Sequence, residues 1–232
     1  MAPTPTPNPD SIKTELKPEE TSSLKHPKFN DFDTSICKNK NLESYADNDT
    51  MYHFGINTQT HDIKKIFGKV RVVITGGSQS RIISLGKLLH QKYIDDGEEP
   101  HDYAIKAGRY SMFCVNHVLT FNHGMGTGSA SIAFHECLKL LDYAGVKRSD
   151  VSLIRIGTCG GIGVNPGTIC LTRSVLTETL EENFPFVECG KVKPMPMILD
   201  SELGDKLSEI ATNLGVSSLV CKTLGTNDFY RK

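Results

Sequence analysis

Three glycine-rich segments in the middle of the chain carry arginines beside or between them, a pairing of residue types suited to holding an anion. Arg81 closes Gly76-Gly77-Ser78-Gln79-Ser80-Arg81, Arg155 precedes Gly157-Thr158-Cys159-Gly160-Gly161-Ile162-Gly163, and Arg109 lies between them in the sequence, ahead of Gly124-Met125-Gly126-Thr127-Gly128. Glycine lets backbone amides approach a ligand closely, and a guanidinium fork binds phosphate oxygens two at a time. Converging arginines would make a site for a dianion, so the chemistry suggested is that of a phosphate or a nucleoside. Spacing does not show convergence, and a solvated surface charge is the competing reading for each arginine.

Two familiar nucleotide motifs fail on inspection. Gly77-Ser78-Gln79-Ser80-Arg81 lacks the Gly-Lys-Ser/Thr ending of a phosphate loop. Gly124 to Ser129 follows a strand and opens a helix, as a dinucleotide fingerprint does. Its third glycine is replaced by Ser129, however, and the next strand ends in Arg155-Ile156-Gly157 rather than in an acid that would hold a ribose diol. His123 stands at a strand end suited to a backbone or ligand hydrogen bond, and His135 lies on a helix without a second ligand at metal spacing. The seven cysteines, at 37, 114, 137, 159, 170, 189 and 221, form no Cys-x-x-Cys pair. They read as mostly buried small apolar residues, and Cys159 as packing rather than catalysis. No metal and no organic cofactor is expected.

The elements that must position these residues alternate. Val70 to Ile74 reads as a strand, followed by a helix with Ile82, Leu85 and Leu89 on one face and Ser78 or Ser80 as cap. Ala104 to Lys106, Arg109 to Val115 and His117 to Phe121 read as strands. A helix then buries Ala133, Cys137, Leu140, Leu141 and Ala144 and stops at Gly145. Strands over Leu153–Ile156, 168–172 and 216–224 follow, the last after a helix capped by Asp200, with Leu203, Leu207, Ile210, Ala211 and Leu214 as its buried stripe and Gly215 as its stop. Alternating strands and helices predict a largely parallel or mixed sheet covered on its faces.

Residues 1 to about 50, beginning Pro3-Thr4-Pro5-Thr6-Pro7, read as a flexible extension, and residues 51–232 as one domain. With 26 basic against 27 acidic residues the net charge is −1, which leaves no bulk field for nucleic acid or an anionic membrane. No apolar run is long enough to span a bilayer and the start lacks a signal peptide's regions, so a cytoplasmic protein is expected.

Taken in order, Gly76 to Arg81, Gly108-Arg109-Tyr110, Asn122-His123-Gly124-Met125-Gly126, Arg155 to Ile162 and Asp228-Phe229-Tyr230 match the motifs of one family. From about Tyr52 to Lys232 the chain resembles the eukaryotic uridine phosphorylases of the nucleoside phosphorylase superfamily. The resemblance implies a three-layer α/β/α sandwich around a mixed, largely parallel sheet, and reversible cleavage of uridine by phosphate to uracil and ribose 1-phosphate. Inorganic phosphate is then a co-substrate and no cofactor is needed. Gly77, Arg81, Arg155 and Thr158 match the family's phosphate ligands within one subunit. Arg109 matches a phosphate arginine given by the neighbouring subunit, and His53 a histidine reaching across to the ribose, which implies a homodimer with shared sites. Met125 and Gly126 match the ribose and base pocket, and Phe229 an aromatic residue packed on the uracil.

The chain departs from the family after Tyr230. There the family continues into a Gly-Gln-x-Arg segment that grips the uracil edge and a Met-Glu motif that holds the ribose hydroxyls, whereas here Arg231 and Lys232 follow. The expectation is a truncated form, lacking the C-terminal elements of the fold, exposing apolar sheet surface and doubtful in activity by itself. The alternatives are a purine nucleoside phosphorylase or nucleosidase, and a non-catalytic partner of a full-length uridine phosphorylase subunit.

Overall fold

β-Branched residues fill Val72-Val73-Ile74-Thr75, a run suited to a strand packed on both faces. In the computed structural model this run forms β3 (Val72–Gly76), and β5 (Val118–Asn122) and β6 (Ser152–Arg155) pair with it in parallel, one on each side. β4 (Met112–Val115) pairs antiparallel with β5, giving the order β4-β5-β3-β6. Asn116 takes φ +58 in the two-residue turn between β4 and β5, a conformation asparagine tolerates. The structure describes Tyr45 and residues 47–228. Most of the expected N-terminal extension, and Phe229, lie outside the described residues.

Helices cover both faces of this sheet. On one, α3 (Gly126–Tyr143) buries Ala133, Cys137, Leu140 and Leu141 in a cluster with Val73, Leu119 and Phe121. The same cluster takes in Phe67 of the short α1 (Ile63–Phe67) and Met51, Phe54 and Ile56 from the hairpin β1 (Thr50–Met51) and β2 (Ile56–Asn57). Asp49 ties the entry of that hairpin to α3, its carboxylate accepting from Tyr143 Oη and Lys139 Nζ, each at 2.5 Å. On the other face α2 (Gln79–Tyr93) sets Gly86 directly against the Phe113 ring of β4. The three-layer mixed α/β architecture is therefore the one expected.

Past β6 the chain builds a second, narrower layer. β7 (Ile169–Leu176) pairs in parallel with β10 (Ser218–Leu224), and the connection between them contains a hairpin, β8 (Asn183–Glu188) and β9 (Lys191–Pro196), then α4 (Ser201–Asn213). Asp200 caps α4 as expected, Oδ1 accepting from Leu203 N at 3.0 Å. The buried stripe is narrower than the periodicity suggests. Ala211 is buried, whereas Ile210 and Leu214 are 52% and 72% exposed, because α4 lies on only two strands.

Two local expectations are corrected. Ala104 to Lys106 is not a strand: Ile105–Ala107 forms a 3-10 turn ended by Gly108 at φ +67. Asp102 Oδ1 accepts from both Ala104 N and Met112 N, at 3.0 and 2.8 Å, closing this stretch into a loop, so the strand starts at Met112 rather than Arg109. The β8–β9 hairpin lies in a stretch for which no element was expected, and it carries Pro185, Pro194 and Pro196, residues uncommon in strands. A two-stranded ribbon has only one ladder to satisfy, and Cys189 and Gly190, at φ +50 and +75, supply its turn.

A Cβ on Gly86 would stand 2.6 Å from the Phe113 ring. Alanine improves helix propensity by about 1 kcal/mol, while overpacking a core costs about 1–3 kcal/mol. Gly86→Ala should therefore lower the urea unfolding midpoint, and adding Phe113→Leu should recover most of the loss.

Candidate functional site

Because β3, β5 and β6 are parallel, their carboxyl ends open on one edge of the sheet, and the three glycine segments meet there. Backbone bonds continue past the strands: Ile156 N donates to Thr75 O at 2.7 Å and His123 N to Gly76 O at 2.9 Å. The approach leaves no room for side chains. A Cβ on Gly76 would lie 2.7 Å from Ile156 O, and one on Gly77 would lie 3.1 Å from Gly124 O.

Two helices begin at this edge, α2 after Ser78 and α3 after Met125, and neither cap residue's side chain bonds the first-turn amides. Unsatisfied N–H groups and the positive ends of two helix dipoles favour an anion here. Behind them a polar relay sets the strand ends. Gln79 Nε2 donates to Ser111 Oγ at 3.1 Å, and Ser111 N donates to the buried Asn122 Oδ1 at 2.6 Å.

Arg81 and Arg155 add full charge. Arg81, in the first turn of α2, donates from Nη1 to Thr158 Oγ1 at 3.4 Å. Arg155 ends β6 and folds its guanidinium over Gly157, where a Cβ would come within 3.0 Å of Nη1. Both arginines are solvent-exposed, yet they reach the same short segment, Gly157-Thr158, from different elements. A cavity of about 150 Å³ lies beside them, lined in part by Gly76, Gly77, Ser78, Arg81, Ile82 and Ile156. A larger one of about 260 Å³, between Lys87, His90, Asp95 and Glu98, mixes both signs of charge and touches none of the glycine segments.

His123 holds Arg155 in place. Arg155 Nε donates to His123 Nε2 at 3.3 Å, and the ring is 5% exposed and stacked on Phe134. Burial, then the charge of Arg155, hold its pKa below the ordinary imidazole value, so the ring is neutral at pH 7. With Nε2 accepting, Nδ1 carries the hydrogen and finds no hydrogen-bond partner among the described residues.

The other expected residues divide. Gly77 and Met125 adjoin, the Met125 Cε lying 3.3 Å from where a Gly77 Cβ would be. Met125 is 76% exposed, and Gly126 is the first residue of α3. Arg109 is not drawn into the cluster. Its Nε donates to Tyr110 Oη at 3.3 Å, Tyr110 Oη donates to Ser129 O at 3.0 Å, and no hydrogen bond joins Arg109 to Arg81 or Arg155 among the described residues. His53 sits elsewhere, its ring on Glu136 of α3 at 2.6 Å. Phe229 lies outside the described residues.

The reading of the cysteines needs correction. Cys137 alone is buried among the described ones, its thiol pushed up to about 12 by that burial, whereas Cys159 and Cys189 are exposed. Cys159 is not packed here, since it is exposed together with the whole of residues 157–163. Among the described residues no group of three or more His, Cys, Asp and Glu side chains could hold a metal ion, and no helix is long and apolar enough to cross a membrane. Sequence reasoning missed Glu136 and the Gln79–Ser111–Asn122 relay. No spacing signal marks either, since their partners lie 83, 32 and 11 residues apart.

Comparison with known proteins bears on the same elements. The phosphorylase superfamily profile matches residues 71–232. Uridine phosphorylase 2 of Mus musculus is 37% identical over 196 residues, which are 83% of this chain and 60% of that relative. A protein named inactive uridine phosphorylase B, from Schistosoma mansoni, is 36% identical over 82% of this chain and 64% of its own length. The crystal structure of uridine phosphorylase from Schistosoma mansoni in complex with thymine superposes with a TM-score of 0.76 at 36% identity, over 83% of this chain and 66% of that one. The chain thus spans about 60% of the length of the curated mammalian relative it matches.

The depressed pKa of His123 fixes the sign of a pH effect. Below its ordinary value of 6.5 the unfolded imidazole takes up a proton that the folded one refuses, so stability falls as pH drops towards the lowered folded value. Between about pH 7 and pH 5 the urea midpoint of the wild type should fall more steeply than that of His123→Asn. Parallel slopes would remove His123 as the titrating group.

Proposed function

The chain belongs to the phosphorylase superfamily, and from that premise we propose that it carries the phosphate-holding part of a site for reversible phosphorolysis of uridine to uracil and ribose 1-phosphate. The observation that carries this reading is the meeting of Arg81 and Arg155 at Gly157-Thr158, beside two uncapped helix N-termini. Two guanidinium charges and open backbone amides match a dianion with several acceptor oxygens. In this reading Gly77, Arg81, Arg155 and Thr158 hold the phosphate, Met125 and Gly126 face the ribose, and Phe229 packs on the base.

The chemistry then rests on charge and position. As the bond from the anomeric carbon to the uracil nitrogen breaks, the ribose gains oxocarbenium character. A phosphate oxygen held beneath it stabilises that charge and forms the new carbon–oxygen bond. Uracil departs with the bonding electron pair and takes up a proton. Phosphate is already an anionic nucleophile at neutral pH, so no Ser, Cys or His need be activated.

Arg109 and His53 enter this reading from a second copy of the chain. His53 is held by Glu136, ten residues into α3 and so about 15 Å along the helix from the glycine edge. In this reading the ribose is met by His53 of a facing copy, as a homodimer with shared sites requires. A second reading, a non-catalytic subunit that pairs with an active one, draws on two observations. Leu153 of β6 and Ile156, Phe186 and Leu219 beyond it expose apolar surface, and one relative is named inactive.

Incubating the chain with uridine, with and without phosphate, and following ribose 1-phosphate by ³¹P NMR tests the proposal. Cleavage should need phosphate, and Arg81→Ala or Arg155→Ala should each lower kcat/KM by about 10²- to 10³-fold. Cleavage that survives without phosphate would point to a nucleosidase, and no cleavage at all to the non-catalytic subunit. Mixed Arg109→Ala and Arg155→Ala chains should recover activity that neither has alone, since one of the two hybrid sites is intact. No recovery after subunit exchange would argue against shared sites.

A further inference from the structure

Glu136 holds the tip of the β1–β2 hairpin through four hydrogen bonds from three donors. Its Oε1 accepts from His53 Nδ1 at 2.6 Å and His53 N at 3.1 Å, and its Oε2 accepts from His53 N at 3.0 Å and Phe54 N at 3.1 Å. The hairpin itself is anchored by Met51, Phe54 and Ile56, all fully buried, so the His53 backbone is fixed from both sides. The Glu136 side chain is 15% exposed, and that of His53 is 36% exposed. One end of the imidazole is therefore committed and the other faces solvent.

A carboxylate can only accept, so the ring nitrogen against it must carry the hydrogen. In the neutral imidazole that places the lone pair on Nε2, the exposed nitrogen. We propose that Glu136 is a positioning residue that fixes His53 as the Nδ1–H tautomer, so that Nε2 accepts a hydrogen bond from a free ribose hydroxyl of the nucleoside. This rests on the uridine reading above and deepens it by assigning the selection for a hydroxyl. A lone pair on Nε2 welcomes an O–H and repels an atom with no hydrogen to give, such as a fluorine, an ether oxygen or a phosphate ester oxygen at the same position.

Glu136→Gln separates this role from hairpin anchoring. The amide oxygen still takes the backbone donors, but the amide nitrogen then faces Nδ1 and favours a hydrogen on Nε2, inverting the exposed end of His53. The ¹⁵N resonances of the His53 ring in the full chain read the tautomer directly. The wild type should be protonated at Nδ1, and Glu136→Gln should not. An Nε2–H tautomer in the folded wild type, or an unchanged tautomer in the variant, overturns the proposal. The first of these arms stands even if the variant fails to fold.

The substrate arm compares uridine with its 2′-, 3′- and 5′-deoxyfluoro analogues. The ratio of kcat/KM for uridine over one of the three should drop about tenfold in Glu136→Gln, and the same substitution should leave that ratio unmoved in a His53→Ala chain. A purely structural role would alter turnover of all four nucleosides alike and would not depend on His53. Uridine turnover with all three ratios unchanged overturns the proposal. A wild type that cleaves no uridine removes the functional reading instead, and the ring resonances alone then decide whether Glu136 sets the tautomer.

Discussion

Parallel pairing of β3 with strands on both sides is the constraint on which the site depends. It aligns three carboxyl ends within one residue of each other, and backbone bonds from Ile156 and His123 to the end of β3 carry the alignment into the loops. Thr75 reinforces it from within, its buried hydroxyl donating to Phe121 O at 2.8 Å. Once the ends are this close, side chains on Gly76 or Gly77 would strike the neighbouring carbonyls. The glycines are thus the consequence of strand proximity as much as a provision for ligand.

The charges at that edge are kept available. Two other arginines are paired with carboxylates, Arg148 with Asp142 and Arg173 with Asp205. At the edge, Arg155 is oriented by the neutral ring of His123 and Arg81 by the hydroxyl of Thr158. Neither partner cancels the positive charge. A carboxylate in place of His123 would hold the guanidinium equally well but would leave little net field for an anion. Burial of His123 is what keeps it neutral, so the hydrophobic packing against Phe134 and the electrostatics of the edge are one arrangement.

The hairpin at the other end of α3 follows the same logic with the opposite sign. Buried Met51, Phe54 and Ile56 fix its backbone, and a carboxylate then sets the direction in which His53 offers its lone pair. In both places an apolar cluster immobilises a short polar segment, and one hydrogen bond decides whether a ring nitrogen gives or accepts. Arg155 and the end of His53 are thus open to solvent, while His123 and Glu136, which aim them, are largely buried.

The amino-acid order was enough for the alternation of strands and helices, the Asp200 cap, the stripe Ala133, Cys137, Leu140 and Leu141, and the association of arginines with glycine segments. Each is local, set by side-chain period or by a residue's own backbone preference. It misjudged Ala104 to Lys106 and the exposed end of the α4 stripe, where a side-chain bond from Asp102 and a two-strand platform outweigh local preference, and it gave no sign of the β8–β9 hairpin. Which arginines meet, which histidine aims one of them and which carboxylate aims His53 were decided only in three dimensions. Those contacts join residues from 32 to 83 positions apart, and no periodicity along a chain encodes a distance that strand order creates.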